Sequence, residues 1–460
     1  MRFRRAMAAC LPAGVAAAVA ISLPMGAFAG TKAAPHYGAG HVAKAAAGRV
    51  IPADASPLAY RYAGKLTGKQ RASGTLLDCQ QPGASPSCYT PRELATAYDV
   101  PSGLTGTGKT IVIVDAFGDP MIAADLAFED TAFGLPTANL NIIYPNGKPV
   151  FHPANSDEVN WSGEIALDVE SSHAIAPAAT IDLVIAKSDA DADILSALRY
   201  AVRHRLGDVL AQSYGEAESC EAPAIVRAGH RLFERAALEG ITVFASSGDY
   251  GAGQPSCDGS TLIKSVGLPA ADPLVTSVGA TSLTASQPDG AYESEAAWND
   301  EYGASNGGYS TLFARPAYQK GFVQHGFGRG VPDVSYSGDV NNGLLIAWSQ
   351  GVVANLGQIY EFGGTSAGPP QWAAIIALAD QGSRRDLGFI NPRLYRIARG
   401  PRYGSVFHDV TTGNNTVSYT DTNGNLVTIN GYAAGPGWDA VTGLGTPDAA
   451  NLIGALRVTR

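Results

Sequence analysis

The chain has little of what a nucleic-acid partner would require. Its 32 Lys and Arg are outnumbered by 41 Asp and Glu, the formal net charge is −9, and the basic residues form no cluster. Phosphate binding needs clustered Lys and Arg, so the sequence argues against a nucleic-acid partner. The five cysteines include no CxxC pair, which disfavours a zinc site.

Long apolar runs are also scarce. Residues 1–29 combine an arginine-rich start, an apolar stretch and a small-residue A-F-A ending, which predicts a secretory signal cleaved after Ala29. No later run is long enough to cross a bilayer. Hydrophobic residues still make up 45% of the chain, enough for a sizeable core. We therefore expect a secreted, globular protein that is not membrane-bound once the signal is removed.

The cysteines agree with export. Cys10 leaves with the signal, and the remaining Cys79, Cys88, Cys220 and Cys257 allow three pairings. Cys79 and Cys88 enclose a short Pro/Ser/Gly loop, so we predict that they pair locally and that Cys220 pairs with Cys257.

Residues 30–88 begin with a segment rich in Ala, Gly and Lys and of weak periodicity, which predicts a short pro-segment or linker. From residue 89 the pattern changes. β-branched runs such as TIVIVDA, TIDLVIAKS and ITVFASSGD alternate with helix-like segments such as GEIALDVESSHAIA and DILSALRYAVRHRL. This alternation predicts a single α/β domain over residues 89–460, with a parallel sheet flanked by helices on both faces.

Two motifs are misleading. GLTGTGKT, from Gly103 to Thr110, fits the phosphate-binding pattern GxxxxGK[ST], but it runs into a strand instead of opening a helix. DTNGN, from Asp421, faintly resembles a calcium loop, but it lies between two strand-like runs and an Asn-Gly hairpin turn explains it better. Neither motif supports a ligand site.

GTSAG around Ser366 fits GxSxG, the nucleophile elbow of α/β-hydrolases, for which the only histidine downstream is His408. A simpler explanation is that Ser366 caps the helix that begins near Pro369. These alternatives stay open on this motif alone.

Carboxyl groups offer a different partner for the serine. Glu164 and Asp168 are four residues apart on a predicted helix, so their side chains share one face. The apolar residues around them predict that this helix face is partly buried. Asp249 follows an apolar strand and enters a glycine-rich loop, where it would either close a turn or belong to an active-site loop.

Several of these segments together resemble one enzyme family. GGTSAGPPQWAAIIAL is similar to the serine helix of subtilisin-type peptidases, and FASSGDYGA is similar to their oxyanion strand with Asp in place of Asn. Their histidine motif is absent, and SGEIALDVESSHAIAP stands in its place. This combination resembles the sedolisin family of serine-carboxyl peptidases, and VTSVGAT, GGYSTLFARPAYQ and RGVPDVSYSG extend the resemblance over residues 89–460.

The resemblance implies a subtilisin-like fold and a role for four residues. Ser366 would be the nucleophile, Glu164 its base, Asp168 the group that orients Glu164, and Asp249 the oxyanion donor. Two acids in a desolvated site share a proton in mild acid, and Asp249 donates only while protonated, so we expect an acid-active endopeptidase that acts on polypeptides.

A calcium site is also expected. Asp409 and Asp439 lie in two glycine-rich segments near the C-terminus, a composition that suits a hard cation. Members of the sedolisin family carry one calcium ion in this arrangement, and the matching ligands here are the side chains of Asp409 and Asp439 and the carbonyls of Val410, Gly435 and Gly437.

The segment before the peptidase domain differs from that of most sedolisins. Sedolisins are generally made with a long folded propeptide, whereas fewer than about sixty residues lie between Ala29 and the peptidase domain.

We expect a monomer. The alternatives are an esterase that uses Ser366 and His408, and a catalytically inactive, calcium-stabilised binding protein, which acid-dependent hydrolysis of a denatured protein would exclude.

Overall fold

The computed structural model describes residues 59–67, 77–81, 83–323, 326–383, 385–420 and 425–458. The signal prediction for residues 1–29, part of the segment 30–88 and the tip of the hairpin at Asp421 lie outside these ranges. Within them no helix is long and apolar enough to cross a membrane.

The helices of the described residues alternate with strands along much of the chain, as the sequence predicts. They are α1 (Pro91–Ala97), α2 (Ile122–Phe133), α3 (Ser156–Ile175), α4 (Asp191–His204), α5 (Pro223–Glu239), α6 (Gly368–Asp380), α7 (Asn391–Ala398), α8 (Tyr403–Val406) and α9 (Ala449–Val458). Short 3₁₀ turns cover Asp78–Gln80, Ala317–Gln319, Val353–Asn355 and Thr365–Ala367.

The strands of the described residues are numbered in chain order. They are β1 (Tyr60–Lys65), β2 (Ser87–Tyr89), β3 (Thr110–Ala116), β4 (Asn139–Ile143), β5 (Thr180–Ala186), β6 (Val209–Gln212), β7 (Glu216–Ala217), β8 (Thr242–Ser246), β9 (Gly253–Pro255), β10 (Leu262–Lys264), β11 (Gly267–Leu268), β12 (Thr276–Ala285), β13 (Tyr292–Ala297), β14 (Gly308–Ala314), β15 (Gly328–Val331), β16 (Val334–Ser337), β17 (Asn342–Ala347), β18 (Gln358–Phe362), β19 (Phe407–His408), β20 (Val417–Thr420), β21 (Leu426–Ile429) and β22 (Thr446–Pro447).

The main sheet has the order β13-β12-β8-β6-β3-β5-β4, and β16 also pairs with β12. Its pairings are parallel except for the antiparallel edge formed by β12 and β13. Alternate residues of β3 serve different faces: Ile111 and Ile113 pack with α3 and α6, whereas Val112 and Val114 pack with α4 and α5. Both faces of the sheet are therefore buried, which explains the continuous apolar runs in its strands. The predicted parallel sheet with helices on both faces is confirmed.

Local sequence explains where two helices near the predicted site residues, α3 and α6, begin. Asn155 caps α3 by accepting a hydrogen bond from the Asp157 amide. Pro369 and Pro370 occupy the first turn of α6, where the missing amide protons cost nothing. No side chain caps α6 or the 3₁₀ turn before it, so Ser366 is not a capping residue.

Both predicted disulfides are present. Cys79 bonds to Cys88, and Cys220 bonds to Cys257. The second bridge links the segment after β7 to the segment after β9, close to the loops that follow β6 and β8.

The two misleading motifs have the structures expected of them. GLTGTGKT leads into β3 and opens no helix, which argues against a phosphate-binding role. The strands β20 and β21 on either side of Asp421 pair antiparallel, as the hairpin prediction requires.

A smaller sheet has the order β1-β18-β17-β2. Its strand β1 lies in the segment 30–88 and pairs antiparallel with β18, whose next residue, Gly363, donates its amide to the Ala59 carbonyl at 2.9 Å. The Tyr60 ring stacks on Phe362 at 5.7 Å and meets the edge of Trp348 at 5.1 Å. Part of the segment 30–88 is thus packed against the strand that leads to Ser366.

This packing makes β1 a contributor to stability. We expect Tyr60→Ala to lower the free energy of unfolding by about 2–4 kcal/mol, because it removes a packed aromatic ring. Tyr62, which is 52% exposed, is the matched control, and Tyr62→Ala should cost about 1 kcal/mol or less. Urea denaturation measures both variants, and equal losses would show that β1 is not held through Tyr60.

Candidate active site

Ser366 lies in the 3₁₀ turn Thr365–Ala367, between β18 and α6, and is 3% exposed. The turn follows two glycines. A Cβ at Gly364 would lie 2.6 Å from Asp249 Oδ2, and the φ of Gly364 is +83°. Only glycine fits this position without strain, because it accepts positive φ and leaves room for the aspartate.

Glu164 and Asp168 project from one face of α3, and both are completely buried. The Ser366 hydroxyl is close enough to lower the pKa of Glu164, yet among the described residues neither Glu164 oxygen has a hydrogen bond of full geometry. The Ser213 hydroxyl, just after β6, lies 2.8 Å from Asp168 Oδ1 and 3.3 Å from the Ser366 carbonyl oxygen. The structure therefore brings the serine and both acids together.

Burial dominates the electrostatics of this pair. It raises the pKa of Glu164 and of Asp168 well above the ordinary range, and the nearby charge of Asp115 raises both further. Contacts with Ser366 and Ser213 act in the opposite direction. Because the carboxyl groups repel each other when charged, they share protons as one coupled group.

Asp249 follows β8 and reaches the amide of the residue before Ser366. Its Oδ1 accepts hydrogen bonds from the Thr365 amide at 2.8 Å and from the Thr365 hydroxyl at 2.6 Å. Burial raises the pKa of Asp249 to about 6. Since Oδ1 already accepts two bonds, a proton on this carboxyl group belongs on Oδ2, from which it can be donated.

Three further residues belong to this candidate site and were not predicted from the sequence. Asp115 lies at the carboxyl end of β3, is fully buried, and has a pKa raised to about 8 by burial. Ser213 contacts Asp168, and Thr365 holds Asp249. Asp115 could have been identified from the sequence, because it lies at the end of an apolar strand just as Asp249 follows one. No sequence pattern identifies Ser213 or Thr365 as site residues.

His408 is placed differently. It lies on β19, its ring stacks on Tyr292 at 4.0 Å, and burial lowers its pKa. Among the described residues the charged group acting on His408 is Asp448, whereas Ser366 acts on Glu164. The geometry gives no support to a serine–histidine pair.

The five predicted calcium ligands lie in neighbouring loops. Asp409 accepts hydrogen bonds from the Gly437 amide and the Tyr403 hydroxyl, and Asp439 accepts from the amides of Gly435, Val441 and Thr442. The Thr442 hydroxyl also lies 3.4 Å from the Val410 carbonyl oxygen. Burial raises the pKa of Asp439 to about 6. Two carboxylates beside glycine-rich backbone provide the hard oxygen donors that calcium prefers, so the residues fit the ion.

Buried carboxyl groups also occur beyond the candidate active site, on α2, on α3 and in the segment just before α2. Burial raises the pKa of Asp119 to about 7 and of Asp125 to about 6, and raises those of Glu129 and Glu170 well above the ordinary range. A carboxyl group with a raised pKa in the folded state binds its proton more tightly than in the unfolded chain. Its stabilising effect is complete below the unfolded pKa and is lost as pH rises through the folded pKa.

We therefore expect the free energy of unfolding to fall as pH rises from 4 to 8 at saturating calcium. Asp119 alone, whose pKa rises from 3.8 to about 7, corresponds to a loss on the order of 4 kcal/mol. Chemical denaturation at each pH measures the slope. Glu129→Gln removes one fully buried ionisation and should flatten it; stability that increases toward pH 8 would contradict the assignment.

The fold and the buried serine–carboxyl arrangement define a serine peptidase of the subtilisin-like class, and known proteins agree. Kumamolisin of Bacillus sp. (strain MN-32) is 34% identical over 405 residues, which span 84% of this chain and 67% of that protein. Sedolisin of Pseudomonas sp. (strain 101) is 31% identical over 387 residues, 80% of this chain and 61% of that protein. Human tripeptidyl-peptidase 1 is 32% identical over 267 residues, 53% of this chain and 42% of that protein.

A solved structure supports the same assignment. Pseudomonas sedolisin, a serine-carboxyl proteinase complexed with two molecules of pseudo-iodotyrostatin, matches with a TM-score of 0.69 and 30% identity, over 82% of this chain and 99% of that one. No protein-family model matches the chain. The alignments span only about two thirds or less of the curated relatives' own lengths. The chain belongs to the sedolisin family of serine-type peptidases, which confirms the predicted family and subtilisin-like fold.

Proposed function

We propose that the protein is a secreted, acid-active endopeptidase that cleaves polypeptides through an acyl-enzyme. The observation that carries this proposal is that Ser366 adjoins a buried glutamate whose pKa is raised by burial and by neighbouring carboxyl groups. A serine hydroxyl is a weak nucleophile until a neighbour accepts its proton. In this site the acceptor is Glu164.

The reaction follows from the positions of the four groups. Ser366 Oγ attacks the scissile carbonyl carbon while its proton passes to Glu164, and Asp168 holds the coupled pair in place. The developing oxyanion accepts a hydrogen bond from protonated Asp249. Glu164 then returns the proton to the leaving amine, and water releases the acyl group with Glu164 again taking the proton.

Mild acid suits both carboxyl roles. Asp249, with a pKa of about 6, is protonated and able to donate below that pH. The coupled Glu164 and Asp168 need to lose only one proton for Glu164 to act as a base. Activity should therefore be greatest where Asp249 is protonated and the pair is singly ionised, and should fall toward neutrality.

The direct experiment is a pH–rate profile on a peptide library with the cleavage sites mapped. Hydrolysis within peptide chains that is fastest in acid supports the proposal. Release of only N-terminal fragments of fixed length would replace endopeptidase by exopeptidase activity, and hydrolysis of esters but not peptides would favour the esterase alternative. The absence of any acid-dependent hydrolysis would favour an inactive binding protein.

Export and assembly are parts of the same proposal. The two disulfides are typical of proteins that fold in an oxidising compartment. We propose that the mature enzyme acts as an extracellular monomer, without a nucleic-acid or membrane partner. Gel filtration of the secreted protein, with N-terminal sequencing, tests the monomer and the processing site together.

We also propose that one calcium ion binds Asp409 and Asp439 and the carbonyl oxygens of Val410, Gly435 and Gly437. An ion there holds C-terminal loops together and contacts no reacting group, so it contributes to stability. A bound cation offsets the burial cost that otherwise acts on the Asp439 carboxylate.

We expect chelation to lower the melting temperature by several degrees while changing the rate of the remaining folded enzyme little. Calcium at a hundred times its dissociation constant stabilises by about 3 kcal/mol. Asp439→Asn should show a lower melting temperature and a smaller response to the chelator. Glu293→Gln, which alters an exposed carboxyl group on β13, is the control. If neither chelation nor Asp439→Asn changed the melting temperature, the proposal of a calcium site at Asp409 and Asp439 would be wrong.

A further inference from the structure

A second group of acids meets beside a cavity between α4 and α5. Asp191 is the first residue of α4, Glu216 is the first residue of β7, and Glu221 follows the disulfide-bonded Cys220. One carboxyl oxygen from each of the three lies within 4.8 Å of the others. None of them contributes to the proposed catalytic or C-terminal calcium sites.

The cavity has a volume of about 70 Å³. Apolar side chains of α4 and α5 form much of its lining, and its polar part consists of Asp191, Gln212, Tyr214, Glu221, His230 and Asp272. Among the described residues that line it there is no lysine or arginine. Its histidine, His230, is hydrogen-bonded through Nδ1 to Asp272 at 2.8 Å. The lining therefore offers no lysine or arginine to balance the charges of Asp191 and Glu221.

Buried polar atoms in this cavity lack partners. Asp191 is 5% exposed, and within the described ranges neither of its carboxyl oxygens has a hydrogen-bond partner. Oε2 of Glu221 is in the same situation, as is Nε2 of Gln212, which is 1% exposed. Buried groups of this kind are costly unless a ligand satisfies them.

We propose that Asp191, Glu216 and Glu221 bind a calcium ion. Calcium takes oxygen ligands at 2.3–2.6 Å, so ligands on opposite sides of the ion lie about 4.8 Å apart. The spread of the three carboxyl oxygens is within that span. The cavity leaves room for water molecules to complete a shell of six to eight ligands.

Gln212 is placed to assist. Its Oε1 accepts a hydrogen bond from the Tyr214 hydroxyl at 2.8 Å. Turning the amide over would present Oε1 to the cavity, while Nε2 donates to the Tyr214 oxygen; the two orientations occupy the same space. The ion thereby gains a fourth protein oxygen, and the unpartnered amide nitrogen gains an acceptor.

The ion would connect three segments near the candidate active site. It joins the start of α4, strand β7 and the loop fixed by the Cys220–Cys257 bridge. Gln212 and Tyr214 flank Ser213, whose hydroxyl contacts Asp168. The expected effect is a rigid support for this end of β6, measured as calcium-dependent stability.

Metal analysis of the full chain tests the proposal. After equilibration with calcium at pH 7.5 and removal of free ion, the protein should retain two calcium ions. Asp191→Asn, Glu221→Gln and Asp439→Asn should each retain one, and the exposed-site control Glu293→Gln should retain two. Unchanged calcium in both Asp191→Asn and Glu221→Gln would overturn the proposal. If Asp191→Asn lowered the number of bound calcium ions but Asp439→Asn did not, the C-terminal site would be rejected instead.

A second measurement leaves the Asp191 cluster intact, in case its variants fold poorly. Terbium binds calcium sites and is excited through nearby aromatic rings; Tyr214 lines the cavity, and its ring is 6.0 Å from that of Trp161. In Asp439→Asn we expect sensitised emission that saturates at one equivalent of terbium and is displaced by calcium. No saturable emission in this variant would count against the site.

Discussion

Ser366→Ala and Glu164→Gln are each expected to lower kcat by about 10⁴–10⁶-fold, because nucleophile and base act as one unit. Without the hydroxyl no acyl-enzyme forms, and an amide at position 164 accepts no proton from the serine. The residual rate comes from binding and from the oxyanion donor. Single-turnover kinetics on a mapped peptide substrate measure the loss.

The double variant gives the sharper result. If the two groups act in one step, Ser366→Ala/Glu164→Gln should be about as slow as either single variant. A double variant far slower than both would mean that they contribute independently. Melting temperatures close to that of the parent show that each variant is folded.

His408→Ala separates this mechanism from the esterase alternative. The ring packs on Tyr292, so the variant should lose some stability but keep its peptidase activity below the melting temperature. If His408→Ala abolished turnover while Glu164→Gln did not, the base would be the histidine.

The parallel sheet could be predicted because its strands are buried on both faces and are therefore apolar along their whole length, as in TIVIVDA. The smaller sheet could not. Strand β1 pairs with β18 at Tyr60 and Phe362, far apart in the chain, and no local pattern in a short segment identifies such a partner. The sequence of residues 30–88 therefore predicted a short pro-segment or linker and did not reveal the strand Tyr60–Lys65 within it.

The same distinction applies to the site. The spacing of Glu164 and Asp168 placed them on one helix face, but not their complete burial, which depends on the packing of α3 against α6. Ser213 joins Asp168 to the Ser366 backbone from a separate strand end. Such a contact follows from the order of strands in the sheet, which the local sequence pattern does not specify.

Asp249→Asn is expected to retain measurable activity and to change the shape of the pH profile. The variant should lose about 10²–10³ in rate at the optimum, the effect of disturbing an oxyanion donor. Asparagine keeps an acceptor oxygen for the Thr365 amide and hydroxyl that bind Asp249 Oδ1 at 2.8 and 2.6 Å. Its amide group then takes the place of protonated Oδ2.

The change should appear in the alkaline limb of kcat/KM. Burial raises the pKa of Asp249 to about 6. In the proposed mechanism Asp249 donates to the oxyanion below that pH, and above it carries a charge that repels the oxyanion. An amide donates at every pH, so the variant should lose proportionally less activity between pH 5 and 7, and its remaining decline should reflect the coupled Glu164 and Asp168. Alkaline limbs that superimpose after scaling would show that ionisation of Asp249 does not control the oxyanion site.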